Sequence, residues 1–195
     1  MNVRLEILTE EKSMQIFLQS LLPRILPEGV ELGVNCFVRP HEGKNDLQKR
    51  LPKLVRAYKN YPQEVILLVV HDQDANDCKV LKDKLVKLIA DNNSDIKHLV
   101  RIACRELENW YLGDLAAVEN VYPNSRATKQ MRRAKFRVPD NLTGTEEMKK
   151  FSKDFGKTSC ARAIGEVIDI EDNNSVSFGH FLSALQILLN RVKAA

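Results

Sequence analysis

The run Val65-Ile-Leu-Leu-Val-Val70 narrows the folds open to this chain more than any other stretch. Six consecutive apolar residues cannot alternate between a core and a solvent face. The run therefore reads as a strand buried on both sides, as in a parallel sheet with helices on each face. It leads straight into His71-Asp-Gln-Asp74 and, soon after, Asp77. Carboxylates at the C-terminal end of such a strand stand where open α/β sheets bind ligands. Asp72 and Asp74 are two residues apart, so in an extended chain both side chains point the same way. Two hard oxygen donors held together suit a divalent cation such as Mg²⁺. The competing reading is that Asp74 or Asp77 caps the helix that starts near Asn76. A cap accounts for one of these acids but not for all of them.

Strand and helix signals alternate around this run. Residues 3–8 have a strand pattern, and Met14, Phe17, Leu18, Leu21, Leu22 and Ile25 then recur at helical spacing until Pro27-Glu-Gly29 ends the helix. A second strand is expected over 30–38. A loop at 41–46 follows, with Asn45 or Asp46 as N-cap of a helix carrying Leu47, Leu51, Leu54, Val55 and Tyr58. After the 65–70 strand come a helix built on Val80, Leu81, Leu85, Val86, Leu88 and Ile89, closed by Asp91-Asn-Asn-Ser94, and a fourth strand over 98–104. Alternation of this kind predicts right-handed βαβ units. The expected fold is α/β: a mostly parallel four-stranded sheet in a three-layer, Rossmann-like sandwich. The rest of the chain reads as helices near 107–120, 125–135, 145–155, 157–168 and 176–192, interrupted by a loop around 138–144. The expectation is a single domain over 1–195, with an α/β core at 1–112 and a helical appendage at 113–195 packed on it.

Composition excludes several classes. The 195 residues, 44% apolar and 29% charged, are ordinary for one globular core. No apolar run approaches the roughly 18 residues of a membrane span, and the first residues have no signal-peptide architecture. A cytoplasmic protein without a membrane partner is expected. Cys36, Cys78, Cys104 and Cys160 show no C-x-x-C spacing, so neither zinc nor a disulfide framework is signalled. Cys36 and Cys104 lie in strand-like runs and read as small buried residues. Serine-triad, P-loop and dinucleotide signatures are missing from the sequence.

Three expected strand ends carry acids: Glu10-Glu11, Asp72-x-Asp74, and Glu106-x-Glu108. In a parallel sheet these ends open on one edge and converge. Such an acidic nest repels itself unless a cation neutralises it, and without the cation its carboxylate pKa values should rise. Each acid also has a plainer reading. Glu10 and Glu11 suit the first turn of a helix, and Glu106 and Glu108 suit a surface pair with Arg105. His41 and His71 fall near the same edge but read singly as structural, and Trp110 and Tyr111 read as core plugs. The net charge is only +4, but Arg126, Lys129, Arg132, Arg133, Lys135 and Arg137 crowd a short stretch without acids. On a helix, residues 126, 129, 132 and 133 share a face that can track a phosphate backbone; the alternative is a solvated face or loop.

The Glu after the first strand and the later D-x-D resemble the Toprim domain of topoisomerases, primases and OLD-type nucleases. More narrowly, the chain resembles a bacterial family known only as a domain of unknown function, DUF4276, and regarded as Toprim-like. Four stretches carry that resemblance. They are Leu8-Thr-Glu-Glu-Lys-Ser-Met-Gln-Ile-Phe-Leu18, Glu42-Gly-Lys-Asn-Asp-Leu47, Glu106-Leu-Glu-Asn-Trp-Tyr-Leu-Gly-Asp114, and Ser175-Val-Ser-Phe178 following Lys157. The family's usual Glu-Gly-x-Thr-Glu is here Glu10-Glu-Lys-Ser-Met14. The resemblance implies a nuclease dependent on Mg²⁺ or Mn²⁺. Asp72 and Asp74 would be metal ligands, Glu10 a ligand or general acid/base, and Glu106 and Glu108 would complete the site or form a second metal position. Lys44 and Arg126, Lys129, Arg132 and Arg133 would contact nucleic-acid phosphates. A tyrosine nucleophile is not assignable among Tyr58, Tyr61, Tyr111 and Tyr122. The resemblance equally implies a non-catalytic or partner-dependent subunit working with an ATPase, as in phage-defence or restriction-type systems. A response-regulator-like phosphoacceptor at Asp72 would use the same sheet.

Overall fold

The computed structural model describes residues 2–193. Four strands, β1 (Val3–Thr9), β2 (Cys36–Pro40), β3 (Glu64–Asp72) and β4 (Lys97–Ala103), form one sheet in the order β2-β1-β3-β4. Every pairing is parallel, so all four C-terminal ends open on one edge. Helices α1 (Lys12–Leu21), α2 (Lys44–Tyr58) and α3 (Cys78–Ala90) connect the strands. Five more follow: α4 (Glu108–Leu112), α5 (Leu115–Val121), α6 (Gly144–Phe151), α7 (Lys157–Val167) and α8 (Val176–Lys193). The fold is the expected α/β one, a Rossmann-like arrangement with helices on both faces of the sheet.

The buried run in β3 shows why. Ile66, Leu68 and Val70 face a core shared with α1, α4, α5, α7 and α8, whereas Val65, Leu67 and Val69 face the core of α2 and α3. Each such side chain taken from water stabilises the fold by about 1.5–3 kcal/mol, and period-two alternation delivers that gain to both layers. One buried residue departs from the pattern. Glu6 of β1 is fully buried on the α2 side, forked by Arg39 (Nε–Oε2 2.6 Å, Nη2–Oε1 3.2 Å) and held by Arg4 (Nε–Oε1 2.6 Å).

Several boundaries differ from expectation for local reasons. β2 starts at Cys36 because residues 31–35 form a turn: Gly33 has φ +80° and Cys36 N–H donates to Glu31 O at 3.0 Å. Pro23 converts the end of the first helix into a 3-10 turn over Leu22–Arg24. The α2 helix is capped by Gly43 (φ +87°), not by Asn45 or Asp46; Asp46 instead pairs with Arg50 at 2.6 Å. The expected 107–120 helix breaks at Gly113, where Asp114 caps α5 through Ala117 N–H. Cys36 is buried as expected, but Cys104 falls one residue past β4 and is only half-buried.

The largest correction concerns the basic stripe. Residues 125–135 are not a helix: 3-10 turns at Ala127–Gln130 and Ala134–Arg137 replace it, and Arg126 sits at φ +50°. Only Ala127 and Phe136 are buried there, so no apolar stripe exists to dock a helix. Glu119 of α5 holds the segment by accepting from Thr128 N–H at 2.7 Å. Arg126, Lys129, Arg132 and Arg133 are exposed but share no helical face.

Candidate functional site

The parallel sheet brings Glu10, Asp72 and the segment from Glu106 onto one edge. Glu10 follows β1 directly and is 6% exposed. It does not belong to the first turn of α1, whose N-cap is Glu11. Its Oε2 accepts from the backbone N–H of Asp72 at 3.2 Å and lies 2.8 Å from His71 Nδ1. His71 is fully buried and its proton is assigned by its neighbours. Lys84 donates to Gln48 Oε1 at 2.7 Å, which turns the Gln48 amide N–H toward His71 Nε2 at 3.2 Å. That nitrogen must accept, so the ring proton sits on Nδ1 and is donated to the Asp72 carbonyl at 2.6 Å. The β2–α2 turn closes the floor: His41 N–H donates to Thr9 O and Gly43 N–H to Glu10 O, both at 3.0 Å.

Asp72 ends β3 in the middle of this arrangement. The residue keeps some exposed surface, but its Oδ1 is shut from solvent and has no partner among the described residues. Burial, then the charges of Glu10 and Glu108, hold its carboxyl well above the usual carboxylate range. Desolvation thus outweighs the mutual repulsion that the sequence suggests. Glu108 is 2% exposed in α4 and is not a surface partner of Arg105. Burial pushes its pKa up, opposed by Lys157. Tyr111 is fully buried, and its hydroxyl has no partner among the described residues; burial and then Glu108 raise it well above the usual phenol value. Glu108 acts on both the Asp72 carboxyl and the Tyr111 hydroxyl, two buried groups that each carry a polar atom without a partner among the described residues.

Asp74 and Glu106 stand differently. The extended geometry that would align Asp74 with Asp72 fails, because the chain turns left-handed at Asp74 (φ +53°). Its Oδ2 pairs with Lys44 Nζ at 2.9 Å at the exposed rim. Asp77 is the helix cap, accepting from the N–H groups of Lys79 and Val80. Glu106 Oε2 accepts from Thr145 N–H at 2.7 Å at the start of α6. Lys157, the first residue of α7, lies 3.6 Å from Glu11 Oε2. Burial pulls its ammonium pKa down, but Glu108, Glu11 and Asp72 outweigh burial and raise it. Among the described residues, no three His, Cys, Asp or Glu side chains are gathered closely enough to hold an ion as they stand.

His71, Tyr111 and Lys157 are the residues that sequence reasoning did not place in the site. His71 had a usable signal, its position immediately before Asp72. Tyr111 and Lys157 had none beyond lying in or beside the stretches of family resemblance. The rest of Glu106–Asp114 is a structural joint: Asn109 donates to the carbonyls of Pro139 and Leu142, and Trp110 Nε1 donates to Ser177 Oγ at 2.9 Å. Trp110 is the expected core plug, stacked on Phe181 at 5.0 Å. Among the described residues, no helix is long and apolar enough to cross a membrane.

Searches of curated proteins and of solved structures found no match. A family model described as a domain of unknown function (DUF4276) matches residues 9–186, which include every acid of the strand-end cluster. Since that match spans most of the chain, the protein belongs to the DUF4276 family.

Proposed function

We propose that this chain is a Toprim-like phosphodiester hydrolase, a nuclease that depends on Mg²⁺ or Mn²⁺. The observation that supports it most is the unpartnered, buried Asp72 Oδ1 at the open edge of an inner strand, beside Glu10 and Glu108. The donors are all hard carboxylate oxygens, the chemistry such cations require. Asp72 and Glu10 would hold the ion, and Glu108 would have to draw closer to serve as the third carboxylate. Asp74 and Glu106 would join only by releasing Lys44 and Thr145 N–H. A divalent ion here supplies polarisation of the phosphoryl group and acidification of a water.

The protein's own contribution is orientation and charge. The Lys84–Gln48–His71 chain keeps a proton on His71 Nδ1, beside Glu10. Such outer partners govern how well a carboxylate binds and how basic it is. Glu10, whose Oε2 accepts from Asp72 N–H and whose second oxygen is left over, is the group to take a proton from water. Lys157 and Lys44 stand at opposite acids and would meet phosphate charge. Arg126, Lys129, Arg132 and Arg133, exposed on the 3-10 segment, would add non-specific backbone contacts.

Calorimetric titration with Mn²⁺, paired with hydrolysis of labelled DNA and RNA, tests this on wild type and on the Asp72→Ala/Asp74→Ala double variant. Stoichiometric binding and turnover that both vanish in the variant are expected. Unaltered nuclease activity in the variant would overturn the proposal. A second reading, a partner-dependent subunit working with an ATPase, is favoured by the engagement of Asp74 and Glu106 elsewhere. Metal binding without turnover by the isolated chain, restored by a partner, would select it.

A further inference from the structure

Two of the four cysteines meet where sequence spacing gives no hint of it. Cys78 opens α3 and Cys104 follows β4, yet their Sγ atoms lie 3.8 Å apart. Both are half-buried, whereas Cys36 and Cys160 are fully buried in the core beneath α1, α7 and α8. The meeting is held in place from several sides. Asp77 caps the first turn of α3 through Lys79 and Val80 N–H. Cys104 N–H donates to Ser177 Oγ at 3.2 Å. Between them, Gln73 N–H donates to Ala103 O and Asp74 N–H to Arg105 O, both at 2.9 Å, tying the two turns side by side.

We propose that Cys78 and Cys104 form a redox-active pair that closes reversibly into a disulfide on reaction with a small-molecule disulfide. The sulfurs need to approach by roughly 1.7 Å to reach bonding distance. A groove of about 420 Å³ opens beside them between α3 and α8, lined in part by Lys79, Lys82 and His180. That lining suits an oxidant bearing carboxylates, such as glutathione disulfide.

The order of events follows from the two environments. Cys78 opens α3 beside Lys79 and Lys82, on the side of the groove that draws an anionic oxidant, and is the first attacker. Cys78 loses its proton to solvent and attacks one sulfur of the oxidant, expelling one thiolate and leaving a mixed disulfide. The Cys104 thiol then gives up its proton and attacks Cys78 Sγ, expelling the second thiolate. Two protein thiols and one small disulfide become one protein disulfide and two small thiols, and excess thiol reverses both steps. The bond would join the turn after β3, which carries Asp74, to the turn after β4, which carries Glu106. It rests on the sulfur geometry alone and stands whether or not the acids bind metal.

The full-length chain is incubated with oxidised glutathione, quenched with an alkylating reagent, and analysed by intact mass and peptide mapping. Wild type should lose two alkylatable thiols, with a mass lower by two hydrogens, a linked Cys78–Cys104 peptide and full reversal by dithiothreitol. The Cys104→Ser variant should trap one glutathione on Cys78, and the Cys78→Ser variant should leave Cys104 open to alkylation. The oxidised wild type should melt higher, by roughly 7–14 °C from the loop it closes. Both thiols remaining alkylatable, two glutathiones on one chain, or a cross-link through other cysteines or a second chain would each overturn the proposal.

Discussion

Replacing Asp72 by Asn removes a buried charge while keeping the side chain's shape, and it should stabilise the ion-free protein. Asp72 Oδ1 has no partner, and Glu10, Glu108, Glu11 and Asp74 all add to its cost of ionisation. A buried acceptor left unsatisfied costs about 1–3 kcal/mol, and a charged one exceeds a neutral one by an amount of similar size; the amide keeps the neutral cost and sheds that excess. Because the residue keeps some exposure, the lower part of that range, about 1–2 kcal/mol, is the expected gain. For a chain of this size each kcal/mol moves Tm by about 2–4 °C, so the variant should melt roughly 2–8 °C higher in EDTA at neutral pH. The pH dependence has a defined sign. The folded protein holds the Asp72 proton more tightly than the unfolded chain does. Its stability therefore falls as pH rises from the ordinary carboxylate value, about 3.9, through the raised folded value. The difference between variant and wild type should be near zero around the ordinary value and grow above it. Differential scanning calorimetry from acid to neutral pH measures this directly. A variant that melts lower than wild type at neutral pH, or a difference that ignores pH, would refute the argument that Asp72 is an uncompensated buried acid. Saturating Mn²⁺ offers a second reading: a ligand at a hundred times its Kd adds about 2.7 kcal/mol, which should reverse the order of the two melting points.

The other expectations concern the groups around this centre. His71→Gln should weaken Mn²⁺ binding by about 10–100-fold, because Glu10 loses the ring packed 2.8 Å from its carboxylate and Asp72 the donor to its carbonyl; unchanged affinity by calorimetry would remove His71 from the site. Ser177→Ala leaves the Trp110 indole N–H and the Cys104 N–H without their acceptor and should cost about 1–3 kcal/mol in urea unfolding. Glu6→Gln breaks a buried ion pair that costs roughly 3–5 kcal/mol to break; Arg39 is 42% exposed, which places the loss near the lower figure. A neutral effect on urea midpoint would mean that Arg4 and Arg39 find equal partners in water. Gly144→Ala drives a Cβ to 2.8 Å from Glu108 Cβ and 2.9 Å from Asn109 N. It should destabilise by about 1–3 kcal/mol through overpacking, read by thermal melting.

How far the chain could be read depended on whether its signals were local. β3 was legible because six apolar residues in a row admit few placements, and Asp72 because it follows them without a break. The helices α1, α2 and α3 were legible from their apolar faces, each of which docks on the sheet as a 3.6-residue period requires. β2 was misplaced because a turn through Gly33 interrupts an alternation that looks continuous in one dimension. The basic stripe was misread for a related reason. Charge spacing alone drew a helical face where the apolar anchors of a helix were missing.

Residue order alone was enough to establish a parallel α/β sheet and the strand end that gathers acids, since hydrophobic periodicity and strand polarity are properties of consecutive residues. Tertiary structure decided which acids are spent and which are not. Lys44, thirty residues from Asp74, neutralises it at the rim, and Thr145 N–H occupies Glu106. His71 lies against Glu10, and the Tyr111 hydroxyl has no partner among the described residues. The meeting of Cys78 with Cys104 belongs to the same class. Burial, hydrogen bonding and proton affinity are set by neighbours in space, and for these residues the neighbours come from distant parts of the chain.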